Sequence, residues 1–502
     1  MAFAIGFSNF RQFKHFPEMP VGDITILVGA NNAGKSTFVK ALLLMGDAFD
    51  KGDYISSSHN GRLADDARNS KKELLLSAAQ TPRFYFDRFY AAHVGTFKRA
   101  LYNHADSNII TFRYVGKTTC IEFDIEGNPE EDSATSAPVT QVRIWDLRHN
   151  IKIICDYNLR KVFVCFHNTP LEGFEDSRLD AYFAAIPKNA IVKIPLTFSA
   201  LNRGSNYFQN ILSYLQSRID ATIDEGHDYM SPATRKKMTI RNISDEFLAF
   251  LKSQKGTYDF GNISRNFEFL PGAGGDPIEY IYAHVISQNV VYSIKDSGDY
   301  VSKTIHKFAE PQVQANETVR PFVQKWLRWF NIGYDYELIS VGGESHIVNI
   351  KSEDGSSTNM ADKGMGAIQL IILFFRLATI IAKKVTKEET SRVIIEEPEQ
   401  NLHPSYQSKL ADFFYEMNRD YNFRFIVETH SEYLVRKTQV LVNQEGLEKE
   451  GKKNPFMVYY FGGENTNGAP YYQMKYRKDG IFANEFGKGF FDEAANLAMT
   501  IL

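Results

Sequence analysis

Nine consecutive residues of this sequence, Gly29-Ala-Asn-Asn-Ala-Gly-Lys-Ser-Thr37, have the types and spacing needed to hold phosphate. They fit G-x-x-x-x-G-K-[ST], where glycines let backbone N–H groups close round β- and γ-phosphates at a helix N-terminus, an end that already favours anions. Gly29, Asn31, Asn32, Ala33 and Gly34 make the wrap, and Thr37 completes the motif. Lys35 adds a point charge on the β/γ-phosphates, and Ser36 offers a hydroxyl to Mg2+. A second chemical pair lies far downstream, in Val393-Ile-Ile-Glu-Glu-Pro-Glu-Gln-Asn-Leu-His-Pro404. Glu396 ends an apolar run and can hold Mg2+ directly or through water. Glu397 beside it can polarise an attacking water.

Each group needs an element to position it. Residues 24–28 form an apolar run that reads as a buried strand entering the glycine loop, and residues 38–45 read as the helix leaving it. Residues 392–395 and 424–427 read as two more buried strands, followed by helices over 405–417 and 432–440. A glycine-containing loop at 362–369 opens a long apolar helix to about residue 383. Elsewhere, residues 3–13, 108–112 and 119–123 read as strands and 94–103 as a helix. Residues 142–147, 151–157 and 161–166 form a meander, 335–341 and 346–351 a hairpin, and 201–251 a helical region.

Bulk properties exclude several classes. The 57 basic residues nearly balance 60 acidic ones, for a net charge of −3, so there is no global signature of a nucleic-acid binder. Short clusters such as Arg235-Lys-Lys237 and Lys452-Lys453 read as solvated loops. Cys120, Cys155 and Cys165 form no C-x-x-C pair, which points away from a zinc site or a disulfide framework. The first residues lack a secretory signal pattern. The longest apolar run, 368–382, is broken by Gln369 and Arg376 and falls short of the roughly 18 residues a membrane span needs. The expected setting is cytoplasmic, with no membrane.

Glu-Glu-Pro-x-x-x-Leu-His-Pro resembles the acidic motif and following loop of ABC-type ATPases. It is especially similar to the bacterial branch of OLD-related and other defence ATPases. Ile426-Val-Glu-Thr-His-Ser-Glu-Tyr-Leu434 resembles the switch segment of these enzymes, which implies that His430 senses the γ-phosphate and helps orient the water. Asp362-Lys-Gly-Met-Gly-Ala-Ile-Gln369 resembles their signature loop, so Asp362, Gly364 and Gly366 join the expected nucleotide-binding set. Here the glycines would let a helix N-terminus approach a γ-phosphate. Asn9-Phe10-Arg11 resembles the first strand of the family, which implies that Arg11 lies near the nucleotide. Gly487-Lys-Gly-Phe-Phe-Asp-Glu493 matches a closing motif of these proteins, without an assigned role. The implied cofactors are ATP and Mg2+.

Lys35 and Glu397 lie 362 positions apart. RecA-like modules keep these motifs within one compact unit. ABC-type heads of the chromosome-maintenance kind instead carry a long insertion that splits the domain. No sustained heptads occur here, so the insertion is expected to be compact rather than a coiled-coil arm. The expected fold is α/β: a two-lobed ABC-type head with an inserted mixed, mainly helical domain. The expected limits are 1–137 for the first lobe, 138–318 for the insertion (serving oligomerisation or partner binding) and 319–502 for the second lobe. The resemblance implies a homo-oligomer, either a head-to-head dimer or a higher assembly, acting as the sensor subunit of an anti-phage system. That subunit would control a separately encoded effector such as a nuclease, with DNA or a phage protein as an open ligand. The alternatives are a repair ATPase binding DNA across paired heads and an ATP-binding scaffold with little turnover.

Overall fold

A computed structural model describes residues 3–50, 83–87, 94–116, 119–147, 151–156, 158–159, 161–166, 191–195, 278–282, 300–342, 345–386, 389–462, 468–487 and 490–501. The chain divides into two compact units, one of residues 1–20 and 37–275, the other of residues 21–36 and 276–502. The helical region expected at 201–251, with the cluster Arg235–Lys237 inside it, lies outside the described residues.

The first unit is built on one antiparallel sheet. Its strands are β1 (Phe3–Phe10), β2 (Phe13–Val21), β5 (Ile109–Val115), β6 (Thr119–Glu126), β7 (Ser136–Asp146), β8 (Ile151–Asp156), β9 (Lys161–Phe166) and β10 (Ile191–Pro195), with β4 (Arg83–Tyr85) paired to β7. Alternation decides which face is buried: along β5, Ile110, Phe112 and Tyr114 point inward while their neighbours are half-exposed. The inward face is phenylalanine-rich. Phe7 stacks on Phe16 at 4.5 Å, and Phe112 lies 5.1 Å from Phe10 and 5.4 Å from Phe84. On β7, Arg143 reaches Glu122 at 2.7 Å and Asp124 at 2.6 Å across the β6–β7 ladder.

The expected meander at 142–166 forms, but as a continuation of this sheet. The boundary expected at residue 137 falls inside β7, because the polar loop before it is a hairpin connection and not a linker. The single strand expected at 3–13 is two strands joined at a tight turn, with Asn9 and Arg11 both at φ +54°. The helix expected at 94–103 shortens to Phe97–Ala100.

The second unit holds a six-stranded sheet. Its order is β11 (Ile278–Tyr282), β15 (Ser391–Glu396), β16 (Phe423–Glu428), β3 (Ile24–Gly29), β17 (Phe456–Phe461) and β18 (Tyr471–Met474). The first five are parallel and β18 is antiparallel to β17. Parallel strands covered on both faces read as continuous apolar runs, and every residue of β3 and β15 is buried. Strand β11 falls inside the span expected for the insertion, yet pairs with β15. A separate three-stranded sheet contains the expected hairpin, β12 (Asp335–Val341) with β13 (Ser345–Lys351), and β14 (Ser357–Asn359).

The core of this unit gathers Trp326 of helix Val319–Trp329, Phe374 and Phe375 of helix Met365–Lys383, and Phe413 of helix Pro404–Tyr421. Phe308 stacks on Phe375 at 3.9 Å, and Trp326 meets Phe413 edge-on at 4.6 Å. Each such side chain contributes about 1.5–3 kcal/mol by leaving water. By length and composition alone, helix Met365–Lys383 could cross a membrane, but 61% of its apolar window is buried inside the unit. The closing motif packs on β17: an added Cβ at Gly487 would meet the Tyr460 hydroxyl at 2.5 Å, and the Phe490 ring lies 5.2 Å from Tyr460.

Candidate nucleotide site

The phosphate loop leaves β3 where the sheet forces a glycine. At Gly29, with φ +141°, an added Cβ would sit 2.2 Å from the Phe461 carbonyl on β17. Gly34 at φ +105° and Asn32 at φ +59° complete the wrap, and helix Lys35–Asp50 begins at once. Thr37 is buried in its first turn, and its hydroxyl reaches Gln12 Oε1 at 3.5 Å.

Lys35 is 3% exposed, and its ammonium folds back to donate to the carbonyls of Gly29 at 3.1 Å and Ala30 at 3.0 Å. Burial pulls its pKa below the usual lysine value, while Glu428, Glu397 and Glu399 oppose that shift in turn. Three carboxylates therefore act on one buried cation at the carboxyl-terminal ends of the parallel strands. Sheet order produces this meeting, since β16 lies between β15 and β3, with Glu396 opposite Glu428 and Glu428 opposite Leu27. The ladder runs past the strand ends: Glu397 N donates to Glu428 O at 2.8 Å and Thr429 N to Leu27 O at 3.0 Å.

Glu396 is buried at the tip of β15, and Glu397 is half-buried just beyond it. Glu397 has φ +52°, a left-handed conformation costing a non-glycine residue about 1–2 kcal/mol. Such strain is retained where surrounding bonds over-determine it, and here the Glu428 carbonyl and a Gln400 side-chain bond to Oε2 at 3.4 Å hold the residue. His430 is exposed after β16. The part of its ring that the protein covers, and then the Lys35 ammonium, lower its pKa and favour the neutral imidazole.

The structure thus gathers Lys35, Ser36, Glu396, Glu397 and His430 at the carboxyl-terminal ends of the adjacent strands β15, β16 and β3. Asp362 and Gly364 are exposed around the start of helix Met365–Lys383, and Gly364 has nothing within 4 Å of an added Cβ. Gly366 is different: an added Cβ would lie 2.4 Å from the Asn401 carbonyl. Its missing side chain therefore admits the loop after β15, where the sequence suggested approach to a phosphate. Asn401 Nδ2 also donates to Gln369 Oε1 at 3.3 Å. Arg11 lies in the other unit, half-buried at the β1–β2 turn, with its backbone N–H on Ala100 O at 2.6 Å. His403 caps helix Pro404–Tyr421, accepting from Ser405 N at 3.3 Å.

Two acids escaped the sequence reading. Glu428 accepts the Ser36 hydroxyl at 2.9 Å, and Glu399 accepts the backbone N–H of His430 at 2.7 Å. The signal for Glu428 was present, since it is a carboxylate ending an apolar strand run, as Glu396 is.

The AAA ATPase domain family (AAA_15) matches residues 4–435, most of the chain. The chain belongs to that family. No curated protein sequence matches it. Among solved structures, the SmcHead bound to the C-winged helix domain of ScpA is similar at 8% identity and a TM-score of 0.40, over 94% of this chain and 97% of that one. An Smc head domain with an extended coiled coil, bound to the C-terminal domain of ScpA derived from Pyrococcus furiosus, is similar at 11% identity and 0.36, over 99% and 98%. An SMC head domain from Thermotoga maritima is similar at 10% identity and 0.34, over 95% and 100%. Scores of this size do not equate two folds. The α/β class expected from the sequence holds for this ATPase domain.

Family membership implies a nucleotide, usually with Mg2+, and the residues present suit both. Glu428 and Glu399 each keep a buried Oε2 without a hydrogen-bond partner, and the donor set is hard oxygen. Among the described residues no three His, Cys, Asp or Glu side chains form a metal cluster.

Proposed function

We propose that this ATPase domain binds ATP with Mg2+ in the Gly29–Thr37 loop and hydrolyses it, with Glu397 polarising the attacking water. The carrying observation is the convergence of Glu428, Glu397 and Glu399 on the buried Lys35, which joins the phosphate loop to two distant strand tips. Lys35 exchanges its carbonyl partners for phosphate oxygens. Ser36, with Glu396 at the neighbouring tip, serves the cation, whose chemistry is to neutralise charge that develops on the phosphates. His430, held as the neutral imidazole, accepts or donates one hydrogen bond near the γ-phosphate and orients the water.

The working unit in this reading is a head-to-head dimer or a higher homo-oligomer. Helix Met365–Lys383 supports it, because its N-cap, Gly364, is exposed and brings no side chain to the helix end, which leaves an anion-favouring terminus facing outward. A second copy's γ-phosphate would meet that terminus, with Asp362 beside it, and Arg11 keeps the nucleotide role that the sequence resemblance implies. ATP binding closes the pair and hydrolysis opens it, which makes the protein a switch. On the sequence resemblance, the switch is the sensor of a cytoplasmic anti-phage complex that governs a separate effector, with the inserted segment as an assembly or partner surface. Binding of DNA through Lys452–Lys453 is disfavoured, since Lys453 is already ion-paired to Asp23 at 2.6 Å.

The test combines two variants and one capture. Lys35→Ala should abolish ATP binding, and Glu397→Gln should retain bound ATP and lock the closed assembly. If Glu397→Gln hydrolyses ATP at the wild-type rate, the acid is misassigned. Pull-down of neighbouring gene products, with nuclease assays in the presence and absence of ATP, tests the effector. DNA-stimulated ATPase activity with no protein partner would favour repair instead, and ATP retention without turnover would favour a scaffold.

A further inference from the structure

Glu428 ends β16, the strand directly beside the phosphate-loop strand, and its side chain is 5% exposed. Oε1 accepts the hydroxyl hydrogen of Ser36 at 2.9 Å, across 392 positions of sequence, while Oε2 is buried without a hydrogen-bond partner. The same residue's carbonyl accepts the Glu397 N–H at 2.8 Å. Buried polar atoms in folded proteins nearly always have partners, so a bare carboxylate oxygen calls for one that arrives later. Ser36 narrows the choice: its hydroxyl proton already rests on Glu428, so its lone pairs are left for a cation. A serine oxygen and one carboxylate oxygen are a hard-oxygen donor set too small for a protein-only cage, which fits a cation that brings phosphates and waters with it.

We infer that Glu428 supplies Oε2 to the divalent cation that accompanies ATP, carried by the switch strand β16 in addition to Glu396 on β15. The assignment rests on the ATPase reading above and deepens it. One residue then touches both halves of the chemistry: its side chain holds the cation-facing serine, and its carbonyl fixes the backbone of Glu397. Loss of the cation would be felt at the catalytic loop through two covalently linked contacts, with no intervening side chain.

The test reads metal binding apart from turnover. The affinity of the full chain for ATPγS is measured in EDTA and in Mg2+, and Mn2+ affinity of the protein–ATPγS complex is measured by electron paramagnetic resonance. Glu428→Gln should bind ATPγS in EDTA within about 2-fold of wild type, yet lose about 10- to 100-fold in Mn2+ affinity. It should also lose the tightening of ATPγS by Mg2+. Glu428→Asp, which keeps the charge but retracts it by one methylene, should lose less, and it serves as the second variant should the glutamine destabilise the fold. Combined with Ser36→Ala, Glu428→Gln should cost less than the sum of the single losses, because the two act on one ion. Wild-type Mn2+ affinity in either Glu428 variant would overturn the assignment and leave the ATPase reading standing. Failure of the wild-type chain to bind ATPγS at all would instead sink that reading.

Discussion

Glu399 Oε1 accepts the backbone N–H of His430 at 2.7 Å, so an acid three residues past the β15 tip sets the main chain of the switch histidine just beyond the neighbouring strand β16. Glu399 is 9% exposed, and burial raises its pKa. The contact is a positioning bond, made by an acceptor that a glutamine can reproduce. Glu399→Ala is expected to lower kcat about 10- to 100-fold with little change in ATP affinity, the order expected when a reacting group is displaced by about 1 Å. Glu399→Gln should retain most of the rate. Steady-state kinetics with a parallel ATP-binding titration checks this, and equal losses in both variants would refute a positioning role.

Two glycines two residues apart are predicted to behave oppositely. Gly366→Ala places a methyl 2.4 Å from the Asn401 carbonyl and 2.9 Å from Leu402 Cδ2, so it should destabilise the fold by about 1–3 kcal/mol. Gly364→Ala meets nothing within 4 Å and sits at φ −61°, so its stability should stay within about 0.5 kcal/mol of wild type. If the helix terminus meets a second copy's nucleotide, Gly364→Ala should still weaken ATP-dependent self-association. Chemical denaturation and analytical ultracentrifugation with ATP separate the two effects.

The cleft between helix Tyr300–Phe308 and the β12–β13 hairpin encloses about 650 Å³ and contains His306 and His346, with ring centroids 5.8 Å apart. Burial, then the neighbouring His306, lowers the pKa of His346. Glu310, Arg320, Glu337 and Lys351 also line the cleft. Because the folded pKa lies below the unfolded value of about 6.5, the unfolded chain takes up the proton first. Stability is therefore lost as pH falls below about 6.5. Thermal unfolding between pH 7.5 and 5 should show a smaller drop in Tm for His346→Gln than for wild type.

Phe375 is fully buried and stacked on Phe308 at 3.9 Å. Phe375→Ala should cost about 3–5 kcal/mol, a large share of the roughly 5–15 kcal/mol that holds a domain folded. ATP at 100 times its Kd should restore about 2.7 kcal/mol by mass action, visible as a rise in Tm with nucleotide concentration. A Tm unmoved by ATP would indicate that the phosphate loop does not bind it.

The parts of this protein that were legible in its sequence are those whose determinants are contiguous. Ile24–Gly29, the glycine loop and helix Lys35–Asp50 follow one another, and the buried strands β15 and β16 declared themselves as apolar runs. Sheet order was not legible. Nothing in the linear spacing places β16 between β15 and β3, and that order makes Glu428 the partner of Ser36. The extent of the first unit was also hidden. An acidic, proline-containing hairpin loop has the composition of a linker, and only pairing across β6–β7 distinguishes them. At Gly366 the sequence suggested approach to a phosphate, and the neighbour that its missing side chain admits, the Asn401 carbonyl, comes from a segment 35 positions away.

Strand β3 is synthesised long before its two neighbours, β16 and β17, which end at Glu428 and Phe461. On the ribosome, the apolar Ile-Thr-Ile-Leu-Val run therefore waits without its lateral partners until 432 further residues have been made. At typical elongation rates of about 5–20 residues per second, that wait lasts roughly 20–90 s. An unpaired apolar strand is exposed to wrong pairing over such a time. The nucleotide pocket cannot exist on a nascent chain, so a truncated product would carry the whole phosphate motif and still be unable to trap ATP.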